Sequence, residues 1–286
     1  NRADTYNHSL FDSVRGATKR IASNATLAEA TVAASLTAFN SNGFSLGNDT
    51  TSNAPSNSHA SWNWKKSATA GFDIVAYTGT GSSNAVSHSL SATPNMMIIK
   101  NRDDTDSWYV WHQGLGAVAS NYINLNTTGA KSSVSDGITA ISSSNFTVNT
   151  RGDVNASSEK YIAYCFAEKK GYSKFGSYTG NGSTDGSFIY CGFKPAFIIT
   201  KKSSSTSHWL MYDNKRKVFN SNEEVIYANL SNVEDTNTGL QIDFLSNGFK
   251  LRGSNSDTNT SGDTYIFMAF AESPFVTSTG VPTTAR

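Results

Sequence analysis

Asp103, Asp104 and Asp106 crowd one short stretch just before Trp108. Carboxylates this close together offer hard oxygen ligands to a calcium ion. An EF-hand loop would also need a mid-loop glycine and a closing glutamate, and Trp108 and Trp111 stand where further ligands belong. The corresponding stretch 204–207 carries no carboxylate. A solvated loop is therefore expected, with no metal and no cofactor. The five histidines, His8, His59, His88, His112 and His208, show no metal-ligand spacing, and solvent-facing or sheet-edge positions are expected for them.

Nucleophile chemistry is equally thin. No Gly-x-Ser-x-Gly elbow occurs, and Cys165 and Cys191 fall at non-corresponding places, as buried free thiols would. Gly79-Thr-Gly81-Ser82 and Gly180-Asn-Gly182-Ser183 look suited to phosphate but lack the lysine and the following helix of a P-loop, so turns are expected. Arg151-Gly-Asp153 spells an integrin-type tripeptide in a loop where the glycine already has a turn to make.

The aromatic residues carry more. Trp108 corresponds to Trp209, and Phe11, Trp111 and Tyr212 form a column a few residues on. On a strand, Trp108 and Val110 face one way and Tyr109 and Trp111 the other. One face must be core, and rings exposed on the other would stack on sugars. Asp103, Asp104, Asp106, Trp108 and Trp209 are therefore the candidate ligand-binding residues. Trp111 and Tyr212 are expected in packing, because Phe11 shares only their bulk and apolarity.

These residues sit on a pattern that recurs. Tyr161-Ile-Ala-Tyr-Cys-Phe-Ala-Glu168 returns as Tyr265-Ile-Phe-Met-Ala-Phe-Ala-Glu272, with a worn copy at His59–Trp64. Setting Pro94 on Pro195 also places Tyr77-Thr-Gly79 on Tyr178-Thr-Gly180 and Trp108 on Trp209. A pattern that returns with its spacing kept marks a repeated unit. The expected organisation is the second half of one unit at 1–66, whole units at 71–169 and 171–276, and a polar tail at 277–286. Within each unit the apolar segments are short, β-rich and separated by turn signals. The fold expected is all-β: tandem antiparallel β-sandwich repeats of jelly-roll or concanavalin A-like type. Residues 25–34 offer a surface turn of helix at most.

Composition narrows the class. Only 16% of residues are charged and the net charge is +1, which gives no sign of a nucleic-acid partner. Hydrophobic residues at 37% suffice for a core. No apolar run approaches the ~20 residues that cross a bilayer as a helix.

Tyr178–Ser183, Met96–Arg102, Leu10–Gly16, Asn42–Gly47, and Trp62–Trp64 or Tyr164–Ala167 together resemble a repeat family of unassigned function in marine bacteriophage proteins. The resemblance covers essentially the whole chain and implies a virion component, a tail fibre or another surface protein, with lectin-like sandwich modules. It transfers no catalytic or binding residue.

The expected function is a non-enzymatic virion surface protein, a tail-fibre or spike segment engaging host-surface polysaccharide or lipopolysaccharide, where repeated weak sites gain avidity. The alternative is a purely structural capsid decoration or fibre spacer. A third is a polysaccharide depolymerase, which would need two carboxylates facing across a cleft. Expected partners are other virion proteins and further copies of the chain, with a trimer as the first expectation. A half unit at 1–66 would leave an apolar face and an open edge, which either preceding residues or a neighbouring chain would cover. Leu10, Phe44, Leu46 and Trp64 would then be buried.

Overall fold

The computed structural model describes residues 2–272 and, as backbone alone, a strand pair at 275–276 and 282–283. The expected tail at 277–286 lies largely outside the described residues. Among those described, the protein is almost wholly β, every strand pairing is antiparallel, and the three α-helices are single turns. Three sectors follow one another along the chain.

Sector I holds β1 (Ser9–Leu10), β2 (Lys19–Ala22), β3 (Ala30–Thr31), β4 (Leu36–Asn40), β5 (Gly43–Leu46) and α1 (Thr50–Asn53). Sector II holds β6 (Phe72–Thr78), β7 (Asn84–Ser87), β8 (Met96–Asn101), β9 (Tyr109–His112), β10 (Asn121–Asn124), β11 (Ser132–Ser133), β12 (Ile138–Ile141), β13 (Asn145–Val148), α2 (Gly152–Asn155) and β14 (Lys160–Phe166). Sector III holds β15 (Ser173–Thr179), β16 (Phe188–Tyr190), β17 (Pro195–Lys202), β18 (Trp209–Asp213), β19 (Ile226–Tyr227), β20 (Ile242–Leu245), β21 (Gly248–Leu251), α3 (Ser256–Asn259) and β22 (Thr264–Ala271).

Sectors II and III share one strand order. The large sheet runs β11-β10-β9-β8-β14-β6 in II and β19-β18-β17-β22-β15 in III, and the small sheets run β12-β13-β7 and β20-β21-β16. In sector I the sheets among the described residues are β1-β2-β3 and the hairpin β4-β5, and residues 59–65 form no strand.

Alternation decides where each side chain goes. In β14, Ile162, Tyr164 and Phe166 enter one core while Tyr161, Ala163 and Cys165 enter another. In β22, Ile266, Met268 and Phe270 join that first core, and Tyr265, Phe267 and Ala269 fill a third. The second and third cores lie between the large and small sheets of sectors II and III, giving two sandwiches. The first core draws Ile21 from sector I, Trp108 and Tyr164 from sector II, and Trp209 and Met268 from sector III. The central strands are thus buried on both faces, which is why they read as continuous apolar runs.

The helical turn allowed for at residues 25–34 is absent. A turn at Ser23–Asn24 leads instead through irregular backbone into β3, whose Ala30 and Thr31 pair with Arg20 and Lys19. The sheet edge at β2 offers backbone partners that an isolated helix of this length could not match.

Candidate functional site: the sector seams and the cleft

Trp108 is fully buried and Trp209 is 1% exposed, both in the shared core. They are not sugar platforms. Each indole instead gives its N–H across a seam: Trp209 Nε1 to Asn124 O at 2.9 Å, and Trp108 Nε1 to Ala22 O at 2.9 Å. His8 stands in the same place in sector I, and its Nε2 lies 2.8 Å from Tyr227 O. Ala22, Asn124 and Tyr227 end the corresponding strands β2, β10 and β19 of their own sectors, so II grips I, III grips II, and I grips III. The ring closes within one chain.

A backbone bond repeats the cycle. Glu29 N donates to Arg102 O at 2.8 Å, Lys131 N to Ser203 O at 3.0 Å, and Glu234 N to Arg2 O at 3.0 Å. At two of these seams a salt bridge is added, Arg102 with Glu29 and Arg2 with Glu234. Arg15 lies buried at the I–II seam against Asp12 Oδ2 at 2.5 Å, and Tyr164 donates its hydroxyl to the same carboxylate at 2.8 Å. Burial works against the Arg15 charge, but Tyr164, Asp12 and Glu29 outweigh it and raise its pKa. Asp213 and Arg216 hold the matching place in sector III, with Trp62 Nε1 donating to Asp213 Oδ2 at 3.1 Å.

His112 fills that position in sector II. It is buried, not solvent-facing as expected, with Nε2 at 3.0 Å from Phe267 O, and burial pushes its pKa down to about 4. His88 is buried as well, against Ser142 O. Lys100 and Lys201 are fully buried and bond only to main-chain oxygens: Asn101 O and Asp104 O for the first, Lys202 O and Thr128 O for the second. Burial lowers them to about 8 and about 7. Cys165 and Cys191 are buried free thiols, and burial raises both, Cys191 to about 12. Thiols held protonated are poor nucleophiles.

Each aspartate of the loop is held by a neighbouring donor. Asp103 Oδ2 accepts from Lys160 N at 2.9 Å, Asp104 Oδ1 from Thr105 N at 2.6 Å, and Asp106 Oδ2 from Asn101 Nδ2 at 2.7 Å. No group of His, Cys, Asp or Glu side chains suited to a metal occurs among the described residues. In the tripeptide, Asp153 is buried and paired with Arg151 of the same motif.

The glycine loops hold no free anion nest. Asn155, at the end of α2, accepts Thr80 N on Oδ1 at 2.9 Å and donates from Nδ2 to Ser82 O and Asn149 O. Asn259, ending α3, accepts Asn181 N and donates to Ser183 O and Gly253 O in the same way. A Cβ at Gly79 or Gly180 would collide with Ala156 O or Thr260 O, so the glycines are required by close backbone approach. These asparagines carry no signal in type or charge; their recurrence before each closing strand, with Asn53 bonding Gly47 O in sector I, was the available clue.

One cleft opens at the seam between sectors III and I. It measures about 450 Å³ and is lined by Ala60–Trp64, the Asp213–Arg216 turn, Phe197, Phe270 and Glu272. Trp62 and Trp64 form its apolar wall, 5.5 and 5.4 Å from Phe197, centroid to centroid.

Residues 1–274 match a domain of unknown function, DUF7483. The chain belongs to that family. No curated protein and no solved structure matches it. No helix among the described residues is long and apolar enough to cross a membrane.

Proposed function

We propose that this DUF7483 protein is a non-enzymatic architectural component of a bacteriophage virion surface, built by internal triplication of one sandwich unit. Its task is to present a rigid body, and its partners are other virion proteins. The observation that carries the reading is the closed set of seam bonds, His8 to Tyr227, Trp108 to Ala22 and Trp209 to Asn124. Trp108 and Trp209, which the sequence offered as sugar-stacking candidates, are buried in this interlocking. The carboxylates Asp12, Glu29, Asp213 and Glu234 are likewise paired with arginines. A catalytic pair needs carboxylates free to exchange protons.

Support for a second reading, engagement of host-surface glycan, comes from edge strand β16. Phe188 and Tyr190 point to one face and are 45% and 64% exposed. Exposed rings two residues apart offer a flat stacking surface.

Incubating the purified chain with host polysaccharide, alongside a glycan array, tests both. The architectural reading expects no turnover and no saturable glycan. Glycan binding that disappears in Tyr190→Ala would establish the second reading in its place. Hydrolysis abolished by changing one carboxylate would reject both.

A further inference from the structure

We propose that the chain forms a twofold dimer through the open edge of β16, whose Phe188, Ile189 and Tyr190 pair antiparallel with the same strand of a second copy. This goes beyond the architectural reading and does not rest on it.

Strand β16 ends its sheet. The order is β16-β21-β20, and the strand pair at 275–276 and 282–283 forms a separate sheet, so no strand lies beyond β16 among the described residues. Two main-chain bonds fix the direction of its backbone groups. Leu251 N donates to Ser187 O at 3.1 Å, and Cys191 N donates to Asn247 O at 2.9 Å. Ser187 and Cys191 therefore face β21, and so does Ile189 between them, because backbone direction alternates along an antiparallel strand. Phe188 and Tyr190 direct their N–H and C=O groups to the open side. The Ile189 side chain enters the third core, while the rings of Phe188 and Tyr190 stand exposed on the outer face.

Sector II shows that the sandwich does not need these rings. There β7 holds the same edge, and Val86 pairs with Phe146 as Ile189 pairs with Phe249. Ala85 and Ser87 then stand where sector III has Phe188 and Tyr190. The next strand inward carries Asn145 beside Ser87, against Gly248 beside Tyr190 and Leu245 beyond it. One unit thus has a small, polar outer edge and the other an aromatic one. Lysine, proline or an inward charge commonly keeps open edges apart, and β16 has none of them.

The occupant follows from the symmetry of the strand itself. Set antiparallel about Ile189, two copies bring Phe188 of each opposite Tyr190 of the other. Those are the residues whose backbone groups face the open side, so each pair exchanges both of its N–H···O bonds. The rings of each pair share one face, where cross-strand aromatic neighbours attract. The charges nearby are balanced: Lys250 pairs with Asp185 at 2.6 Å and Arg252 with Asp243 at 2.5 Å. The patch therefore brings no net charge against its own copy. A surface that matches itself under a twofold rotation is what closes a dimer.

Sedimentation velocity on the whole chain, residues 1–286, at concentrations up to about 0.1 mM tests this. A monomer–dimer equilibrium is expected, with amide exchange at Phe188 and Tyr190 slowed in the dimer and that at Ala85 and Ser87 unchanged. Phe188→Pro removes an outward N–H and no bond to β21, and Tyr190→Lys puts a charge on the edge. Each is expected to weaken dimerisation at least about tenfold with the circular dichroism spectrum kept. Ser87→Lys, on the sector II edge, is expected to leave dimerisation as it was. Should Phe188→Pro unfold, Tyr190→Lys and the exchange rates decide. A chain that stays monomeric, a trimer in place of the dimer, or an assembly indifferent to both edge variants would overturn the proposal. So would a dimer whose Phe188 and Tyr190 amides exchange as fast as in the monomer.

Discussion

Trp209 gives its indole N–H to the carbonyl oxygen of Asn124 across the II–III seam, at 2.9 Å. The side chain that anchors sector III therefore also closes a main-chain acceptor of sector II. Trp209→Phe keeps most of the volume and loses the bond, an expected cost of ~1–3 kcal/mol for a buried acceptor left unpaired. Trp209→Ala adds a cavity, for ~3–5 kcal/mol from the lost ring. Denaturant unfolding of both variants, with an unchanged m value, would separate the two contributions.

Because residues from all three sectors build the shared core, the chain is expected to unfold in one cooperative transition. Fluorescence from the sector I tryptophans and far-UV circular dichroism would then trace coincident curves. Independent modules would melt one after another, and non-coincident curves would show that.

Lys201 and Lys100 bring buried charge without a carboxylate partner within hydrogen-bonding distance, and burial lowers them to about 7 and about 8. Asp257 and Lys202 influence the first, Asp104 and Asp106 the second. A lysine depressed in the folded state binds its proton more tightly when unfolded, so stability rises with pH between the folded and unfolded values. The window here opens near pH 7 and runs to the tyrosine range near 10, where raised phenols such as Tyr178 begin to act in the opposite sense. Lys201→Met should flatten the slope by about one proton, or ~1.4 kcal/mol per pH unit. Unfolding free energies measured from pH 7 to 10 would check it.

Asn155 and Asn259 each close three backbone groups from the loops around α2 and α3. Asn259→Ala should cost ~3 kcal/mol, about 1 kcal/mol for each lost bond. Asn259→Asp should also destabilise, because a carboxylate cannot donate to Ser183 O and Gly253 O. Hydrogen exchange at Asn181 would rise in both variants if the loop is held as described.

Arg15→Met leaves Asp12 buried without its cation, and a loss of ~3–5 kcal/mol is expected. Arg15→Met combined with Asp12→Leu should recover much of it, since the uncompensated charge is then gone. Thermal melts of the single and double variants give the coupling directly.

Much of the architecture was written in local chemistry. Alternation in Trp108–Trp111 and Tyr161–Phe166 fixed which residues share a face, because strand side chains have a period of two whatever surrounds them. The returning Tyr-Thr-Gly and closing-strand patterns fall on strands with like places in the sheets, β6 with β15 and β14 with β22. Trp111 and Tyr212 could be placed in packing because the column they form with Phe11 shares only bulk and apolarity.

Alternation states that two faces differ; it does not say what each face meets. Which face of Trp108 and Trp209 lay against solvent was therefore open in the sequence, and only the closure of three sectors around a shared core decided it. The buried His112, the carbonyl-bound Lys100 and Lys201, and the Asp12–Arg15–Tyr164 contact all depend on residues far apart in the chain meeting at seams. No one-dimensional period encodes those meetings. The cleft at Trp62 and Trp64 is of the same kind: the worn copy at His59–Trp64 was legible in the chain, but the cleft exists only where sector I turns against sector III.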